Sequence, residues 1–169
     1  MQVATLLSAL KQFRDLDLSA LLLNSGRLAD ELALRGIPVT VFDESRLGIV
    51  QLLRVVTQHL KETRHHVFHS HGYKAHILGA LAGRLSRKPL TVQTYHGLKE
   101  NLAGWAGLKM SLYDGINRAV GKMTADGIVG VSSEITSILA RRYPSAEVRC
   151  ITNGIDLARV VPTTERSAM

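Results

Sequence analysis

Two segments combine histidine with glycine where the chain is expected to turn. They are residues 68–72 (Phe-His-Ser-His-Gly) and 94–97 (Thr-Tyr-His-Gly). Each belongs to a short apolar run typical of a buried strand, and open α/β sheets bind ligands at the carboxyl ends of their strands. An imidazole there can hydrogen-bond a sugar hydroxyl or a phosphate, or transfer a proton. We therefore expect the two segments to form one site.

His96 is the leading candidate for chemistry. It follows the predicted strand 90–95 and precedes Gly97, and a glycine permits a sharp turn or a close approach to a ligand. A single histidine in such a position is more often bonded to the local backbone of a turn. The assignment of His96 therefore depends on the segments that accompany it.

His69 and His71 are two residues apart and would share one face of a strand. A His-x-His pair can begin a metal site, but no cysteine or carboxylate completes a known ligand spacing, so metal binding is the weaker interpretation. We place His71 at the rim of the sheet, where Gly72, Tyr73 and Lys74 begin the next helix. A helix start with a lysine suits an anionic group.

Two later segments carry polar residues after predicted strands. Ser132 or Ser133 can cap the helix that follows strand 127–131, and a hydroxyl contact with a ligand would be additional. Asn153 and Gly154 are a turn signal after the last predicted strand. On composition alone, this second segment is only a turn.

The elements that must position these residues alternate between strand and helix. Strands are predicted at 18–23, 39–42, 67–69, 90–95, 127–131 and 148–151, with apolar stripes of helical spacing between them. This order predicts an α/β fold with a Rossmann-like, doubly wound parallel sheet and helices on both faces. The stripes are interpreted as core, including the stripe Leu108, Leu112, Ile116, Val120 and Met123. Doubly wound domains usually begin with a central strand and a glycine loop, so a chain that opens in a helix is expected to lack its natural start.

Composition limits the classes of partner and compartment. An apolar content of 46% indicates a globular protein. The net charge of +7 suits acidic partners, which are nucleotides, phosphates, anionic lipid or nucleic acid, but general solubility explains the charge better than any single one of these. Aromatic residues are only 5%, and no basic run is interleaved with them, which disfavours nucleic acid. The single cysteine, Cys150, fits a reducing compartment. We find no signal peptide and no run of about 20 apolar residues, and we predict a cytoplasmic protein.

Residues 98–122 form a predicted helix that mixes leucines with basic side chains. A basic amphipathic helix can lie on an anionic membrane, here the inner face, as a peripheral contact. A surface helix with a solvated basic face explains the pattern equally well.

Taken in order, the segments 68–75, 94–97, 125–132 and 151–156 resemble the N-terminal half of family 4 glycosyltransferases, and the resemblance covers nearly the whole chain. It implies the GT-B architecture, in which an N-terminal domain holds the acceptor and a C-terminal domain holds the nucleotide sugar. It also implies transfer with retention of the anomeric configuration, without a metal or another cofactor. We assign residues 1–156 to the acceptor-side domain and 157–169 to the interdomain linker or a loose tail.

The resemblance implies a role for individual residues. His96 corresponds to the histidine of the cleft that contacts the transferred sugar and supports catalysis. The residues implied to bind substrate are His71, Gly72, Tyr73, Lys74, Gly97, Ser132, Asn153, Gly154 and Asp156.

The predicted function is transfer of a sugar from a nucleotide-sugar donor to a glycan or lipid-linked acceptor, as in polysaccharide biosynthesis. The C-terminal donor domain and its paired glutamates are missing and would be supplied in cis or in trans. The chain alone is not expected to turn over. The alternatives are a non-catalytic acceptor-binding subunit of a split glycosyltransferase and an inactive fragment.

Overall fold

The chain alternates helices with parallel strands, as the sequence predicts. The computed structural model describes residues 2–87, 90–97 and 104–155. Its elements in chain order are α1 (Gln2–Leu10), β1 (Ala20–Leu22), α2 (Arg27–Leu34), β2 (Val39–Val41), α3 (Ile49–Thr63), β3 (Val67–His71), α4 (Tyr73–Ser86), β4 (Leu90–Tyr95), α5 (Gly104–Thr124), β5 (Gly127–Gly130), α6 (Ser133–Arg142) and β6 (Glu147–Cys150).

The strands form two parallel sheets within the described residues. β1 pairs with β2, and β3, β4, β5 and β6 are hydrogen-bonded in that order. In the larger sheet His71 pairs with Thr94, and Tyr95 pairs with Gly130. β3 is longer than predicted and ends at His71, so this histidine is the last residue of the strand. The parallel α/β fold is confirmed.

Compact packing divides the described chain near residue 41. One unit holds the described residues 2–41 and 153–155, and the other lies within residues 42–152. The alternation of elements in the sequence carries no mark of this division, and it predicts one domain over residues 1–156. The predicted tail 157–169 lies outside the described residues.

The first unit has a small apolar core of Ala4, Ala20, Leu32 and Ile37. The sequence predicts a helix over residues 28–34 that ends at Gly36, and Gly36 lies just beyond α2 with a φ of 65°. The Gly36 N–H donates to the Ala33 carbonyl at 2.9 Å, and the Ile37 N–H donates to the Leu32 carbonyl at 3.0 Å. These two bonds make a Schellman motif, which satisfies carbonyl groups at the helix end.

The second unit buries Tyr95, Ile128, Leu139 and Tyr143 between the sheet and its helices. Close approach of helix and strand depends on Gly130 at the end of β5. A Cβ atom at Gly130 would lie 2.8 Å from the backbone nitrogen of Thr136 and 3.0 Å from its Cα. Because these are backbone atoms of α6, the contact cannot be relieved by a side-chain rotation.

We expect Gly130→Ala to lower the free energy of unfolding by roughly 1–3 kcal/mol, because it overpacks a fixed strand–helix contact. Urea denaturation followed by circular dichroism measures the change. The matched control is Gly115→Ala in α5, where a Cβ meets nothing within 4 Å. That control should be neutral or stabilising by up to about 1 kcal/mol. Equal loss of stability in both variants would contradict the packing argument.

The interpretation of the α5 stripe as core is wrong. Leu108, Leu112, Ile116 and Met123 are 62%, 65%, 41% and 71% exposed, and only Val120 is partly buried. The helix instead turns a different face inward, the one that carries Asn117 and Gly121, both buried. Helical spacing shows which residues share a face, but it does not show which face the sheet covers.

In the described part of the chain no helix is both long and apolar enough to cross a membrane.

Candidate active site

The two histidine–glycine segments meet at the carboxyl edge of the four-stranded sheet. His71 ends β3, and His96 directly follows β4, its hydrogen-bonded neighbour. The Nδ1 atom of His71 lies 3.0 Å from the Nε2 atom of His96, and the two rings are stacked with centroids 5.3 Å apart. His96 is exposed, whereas His71 is half-buried. The structure thus brings together the two segments that the sequence placed in one site.

The imidazole of a third histidine, His69, lies beside this pair. The His69 ring is 4.6 Å from the His71 ring, and its Nε2 lies 2.7 Å from the Thr94 hydroxyl. Burial, together with the neighbouring His69 and His96 rings, lowers the pKa of His71 to about 3. His71 is therefore neutral at pH 7. A single hydrogen then lies between its Nδ1 and His96 Nε2, carried by one ring and accepted by the other.

Of the two histidines, His96 lines a cavity of about 320 Å³, a volume within the usual range of small-ligand pockets. Its lining residues are Gly72, Tyr73, His76, Thr94, Tyr95, His96 and Gly97. Gly72 has a φ of 86°, which side chains rarely adopt, whereas Gly97 has no positive φ. A Cβ atom at either glycine would meet nothing within 4 Å, so the space beside their backbone is open to a ligand.

His76 lies beneath the pair and was not singled out for this site by the sequence. It is 1% exposed, and its Nδ1 lies 2.9 Å from the Ser70 hydroxyl. Burial lowers its pKa to about 4, against the opposing effect of a hydrogen bond to the Thr94 backbone. The only sequence signal for His76 is its place one turn into α4, at the spacing of an inward-facing residue.

This buried histidine makes stability depend on pH. The unfolded chain takes up a proton near pH 6.5, whereas folded His76 does not until about pH 4. Stability is therefore full above pH 6.5 and falls as the pH drops towards 4. His76 alone should remove about 2 kcal/mol from the free energy of unfolding between pH 6.5 and pH 5. The lowered pKa values of His69 and His71 act in the same direction.

Urea denaturation at several pH values tests this dependence. His76→Gln should flatten the slope between pH 6.5 and pH 5 by about one proton, whatever its own stability at pH 7. His66→Gln is the control, because it replaces an exposed histidine outside this cluster. An unchanged slope in His76→Gln would contradict the assignment.

A buried polar network fixes the end of β4 that carries His96. The Asn117 amide donates to the Tyr95 hydroxyl at 2.8 Å, and the Tyr143 hydroxyl is 2.7 Å from the same oxygen. The Tyr95 hydroxyl donates to Gln93 Oε1 at 3.1 Å. Burial raises the pKa of Tyr95, so the phenol stays protonated. These bonds join β4 to α5 and to the end of α6, which keeps the position of His96 defined.

Lys74 and Tyr73 are placed differently from what a simple anion site requires. Lys74 is exposed and forms an ion pair with Glu44, so part of its charge is already neutralised. The Tyr73 ring packs edge-on against Tyr95 with centroids 6.3 Å apart. The Tyr73 hydroxyl is buried without a hydrogen-bond partner among the described residues, and burial raises its pKa.

The later candidates lie outside the cavity lining. Ser132 caps α6, since its hydroxyl accepts a hydrogen bond from the Ile135 N–H at 3.2 Å, which confirms the capping interpretation. Asn153 and Gly154 are exposed and follow β6. Asp156 lies outside the described residues. Across residues 2–87, 90–97 and 104–155, no three histidine, cysteine or carboxylate side chains are grouped as metal ligands.

Comparison with known proteins identifies the family. Residues 2–159 match the model of Glycosyltransferase Family 4. No curated protein matches the chain. The crystal structure of Anabaena Alr3699/HepE in complex with UDP is similar in fold, with 22% identity and a TM-score of 0.68 over 92% of this chain and 41% of that chain.

A second HepE structure, in complex with UDP and glucose, gives 20% identity and a TM-score of 0.67 over the same shares. The chain therefore spans about 41% of the length of these structures. At 20–22% sequence identity to HepE, the similarity shows the fold alone. That fold is one Rossmann-like half of a GT-B glycosyltransferase. By the match over residues 2–159, the chain belongs to glycosyltransferase family 4.

Proposed function

We propose that this chain is the acceptor-side half of a retaining glycosyltransferase, which moves a sugar from a nucleotide-sugar donor to a glycan or lipid-linked acceptor. The observation that carries the proposal is the His71–His96 imidazole pair, held at 3.0 Å at the carboxyl edge of the sheet of a family 4 protein. His96 is the member of the pair that is both exposed and part of the cavity lining.

In this proposal His96 contacts the transferred sugar, and the cavity beside it receives sugar hydroxyls. Gly72 and Gly97 present backbone to open space, where a ligand can approach closely. Tyr73 lines the same cavity, and its buried hydroxyl has no hydrogen-bond partner among the described residues. The family resemblance implies substrate-binding roles for five further residues, and we retain these roles in the proposal. They are Lys74, Ser132, Asn153, Gly154 and Asp156.

Two observations support a nucleotide sugar as the donor: the ligands of the solved relatives and the net charge of this chain. HepE binds UDP and glucose, which supports a nucleotide sugar as the donor. The net charge of +7 favours approach of a diphosphate. A leaving diphosphate needs cations or backbone N–H groups around it, and we assign most of these to the C-terminal donor domain.

The test uses the complete two-domain enzyme and a panel of nucleotide sugars that begins with UDP-glucose. Release of the nucleoside diphosphate should depend on an added glycan or lipid-linked acceptor. Proton NMR of the product should show the anomeric configuration of the donor. An inverted product would overturn retention alone, whereas absence of transfer with every donor would overturn the function.

A second candidate is a non-catalytic acceptor-binding subunit that works with a donor domain on another chain. The intact mass of the native protein separates the candidates. A longer polypeptide supports the two-domain enzyme, a short one that co-purifies with a donor-domain partner supports the subunit, and a short one without a partner indicates an inactive fragment.

A further inference from the structure

The outward side of α5 carries a continuous apolar surface that the proposed function does not use. We call it the α5 outer face, and its members are Leu108, Leu112, Ile116, Ala119 and Met123. They follow one another at intervals of four, four, three and four residues and span about 22 Å along the helix axis. All five are exposed.

The α5 outer face is opposite to the side that packs inward. At 3.6 residues per turn, Gly107, Asn117 and Gly121 lie on one side of the helix, and the outer face lies on the other. All three of these inward residues are buried. The helix therefore places a polar and glycine-rich side against the protein and an apolar side towards solvent. This is the reverse of an ordinary surface helix.

Basic side chains border the α5 outer face. Arg118 and Lys122 are exposed along one edge of it. The sole acidic residue of α5 in the sequence is Asp114, which is paired with Arg142 at 2.9 Å. No free carboxylate of α5 therefore opposes the two cations.

The neighbouring helix α4 also exposes apolar and basic side chains. α4 packs side by side with α5 and exposes Leu81 and Leu85, which are 36% and 55% exposed. Arg84 and Arg87, at its C-terminal end, are also exposed. Because α4 and α5 both follow strands of one parallel sheet, they run in the same direction, and their C-terminal ends place these apolar and basic side chains at the same end of the unit.

We propose that the α5 outer face docks the protein on an anionic lipid surface. The apolar side chains would enter the boundary between headgroups and acyl chains, while Arg118 and Lys122 would contact the negatively charged headgroups. A second copy of this chain fits the face less well, because a two-fold interface would bring the same cations of both copies together. The docking does not depend on glycosyl transfer.

Co-sedimentation of the full chain with vesicles tests the proposal. The protein should sediment with vesicles of equal parts phosphatidylglycerol and phosphatidylcholine, and remain in solution with phosphatidylcholine alone. The double variant Leu112→Ser/Ile116→Ser should weaken binding about ten-fold or more, since it removes two apolar side chains from the interface. Arg118→Gln/Lys122→Gln should weaken binding to anionic vesicles and reduce its dependence on salt.

The matched control is Val50→Ser in α3, which changes an apolar side chain that is 77% exposed but lies away from the α5 outer face. It should bind as the wild type does. Circular dichroism shows that each variant is folded. No vesicle binding, equal binding to neutral vesicles, or equal weakening by Val50→Ser would overturn the proposal. Self-association that Leu112→Ser/Ile116→Ser abolishes would overturn it in favour of a second copy. None of these readouts uses transferase activity, so failure here leaves the proposed function standing.

Discussion

Replacement of His96 by alanine in the complete two-domain enzyme is expected to lower kcat by roughly 10²–10³-fold, the loss typical of removing one polar group that acts on the transition state. The physical reason is position. His96 is exposed at the carboxyl edge of the sheet and lines the cavity beside Gly97. Its ring is held by His71 and by the end of β4, and it contributes no side chain to the described apolar cores.

Steady-state rates of nucleoside diphosphate release measure this effect, and urea denaturation of the same variant measures stability. The control is His66→Ala, because His66 is an exposed histidine that precedes β3, at the opposite end of the strand from His71. Its kcat should equal that of the wild type. If His96→Ala kept its kcat and lost stability instead, His96 would be a structural turn residue and the proposed role would fail.

The second large effect concerns His71 as the residue that positions His96. His71→Ala is expected to lower kcat/KM about ten-fold, the value of one hydrogen bond of about 1.4 kcal/mol. His71→Asn should recover most of the loss, because the asparagine amide can place a hydrogen-bonding atom near the position of the imidazole Nδ1. A structural role alone predicts no such rescue.

The ring nitrogens give a readout that packing alone would not move. Long-range proton–nitrogen NMR spectra should show that one of the two facing atoms, His71 Nδ1 or His96 Nε2, carries the hydrogen while the other accepts it. The expectation follows from the 3.0 Å contact between them, which admits a single hydrogen. The chemical shift of His96 Nε2 should change in His71→Ala and return towards the wild-type value in His71→Asn, and an unchanged shift in His71→Ala would show that another group orients His96.

Local features of the fold could be predicted because they depend on residues close together in the chain. The end of α2 at Gly36 and the start of α6 at Ser132 are set by bonds within a few residues. The alternation of strand and helix likewise follows from local hydrophobic periodicity. The joint site at residues 68–72 and 94–97 could be predicted for a related reason, since the carboxyl ends of adjacent parallel strands share one edge.

Pairings between distant residues could not be predicted in this way. The ion pair of Lys74 with Glu44 and the burial of His76 against Ser70 depend on which elements pack together. The same is true of the hydroxyl contact between Tyr95 and Tyr143, which are 48 positions apart. Each of these changes the chemistry expected of the residue. The positive charge of Lys74 is paired with the Glu44 carboxylate, and the lowered pKa of His76 keeps it neutral down to about pH 4.

The sequence by itself determined the α/β class, the family and the two strand ends where the histidines lie, because periodicity and turn chemistry act over short stretches of chain. Only the tertiary structure decided that His71 and His96 share a hydrogen, and that Leu112 and Ile116 face solvent rather than the sheet. The reason is that spacing assigns residues to a common face, whereas the partner that covers that face is set by contacts between segments far apart in the chain.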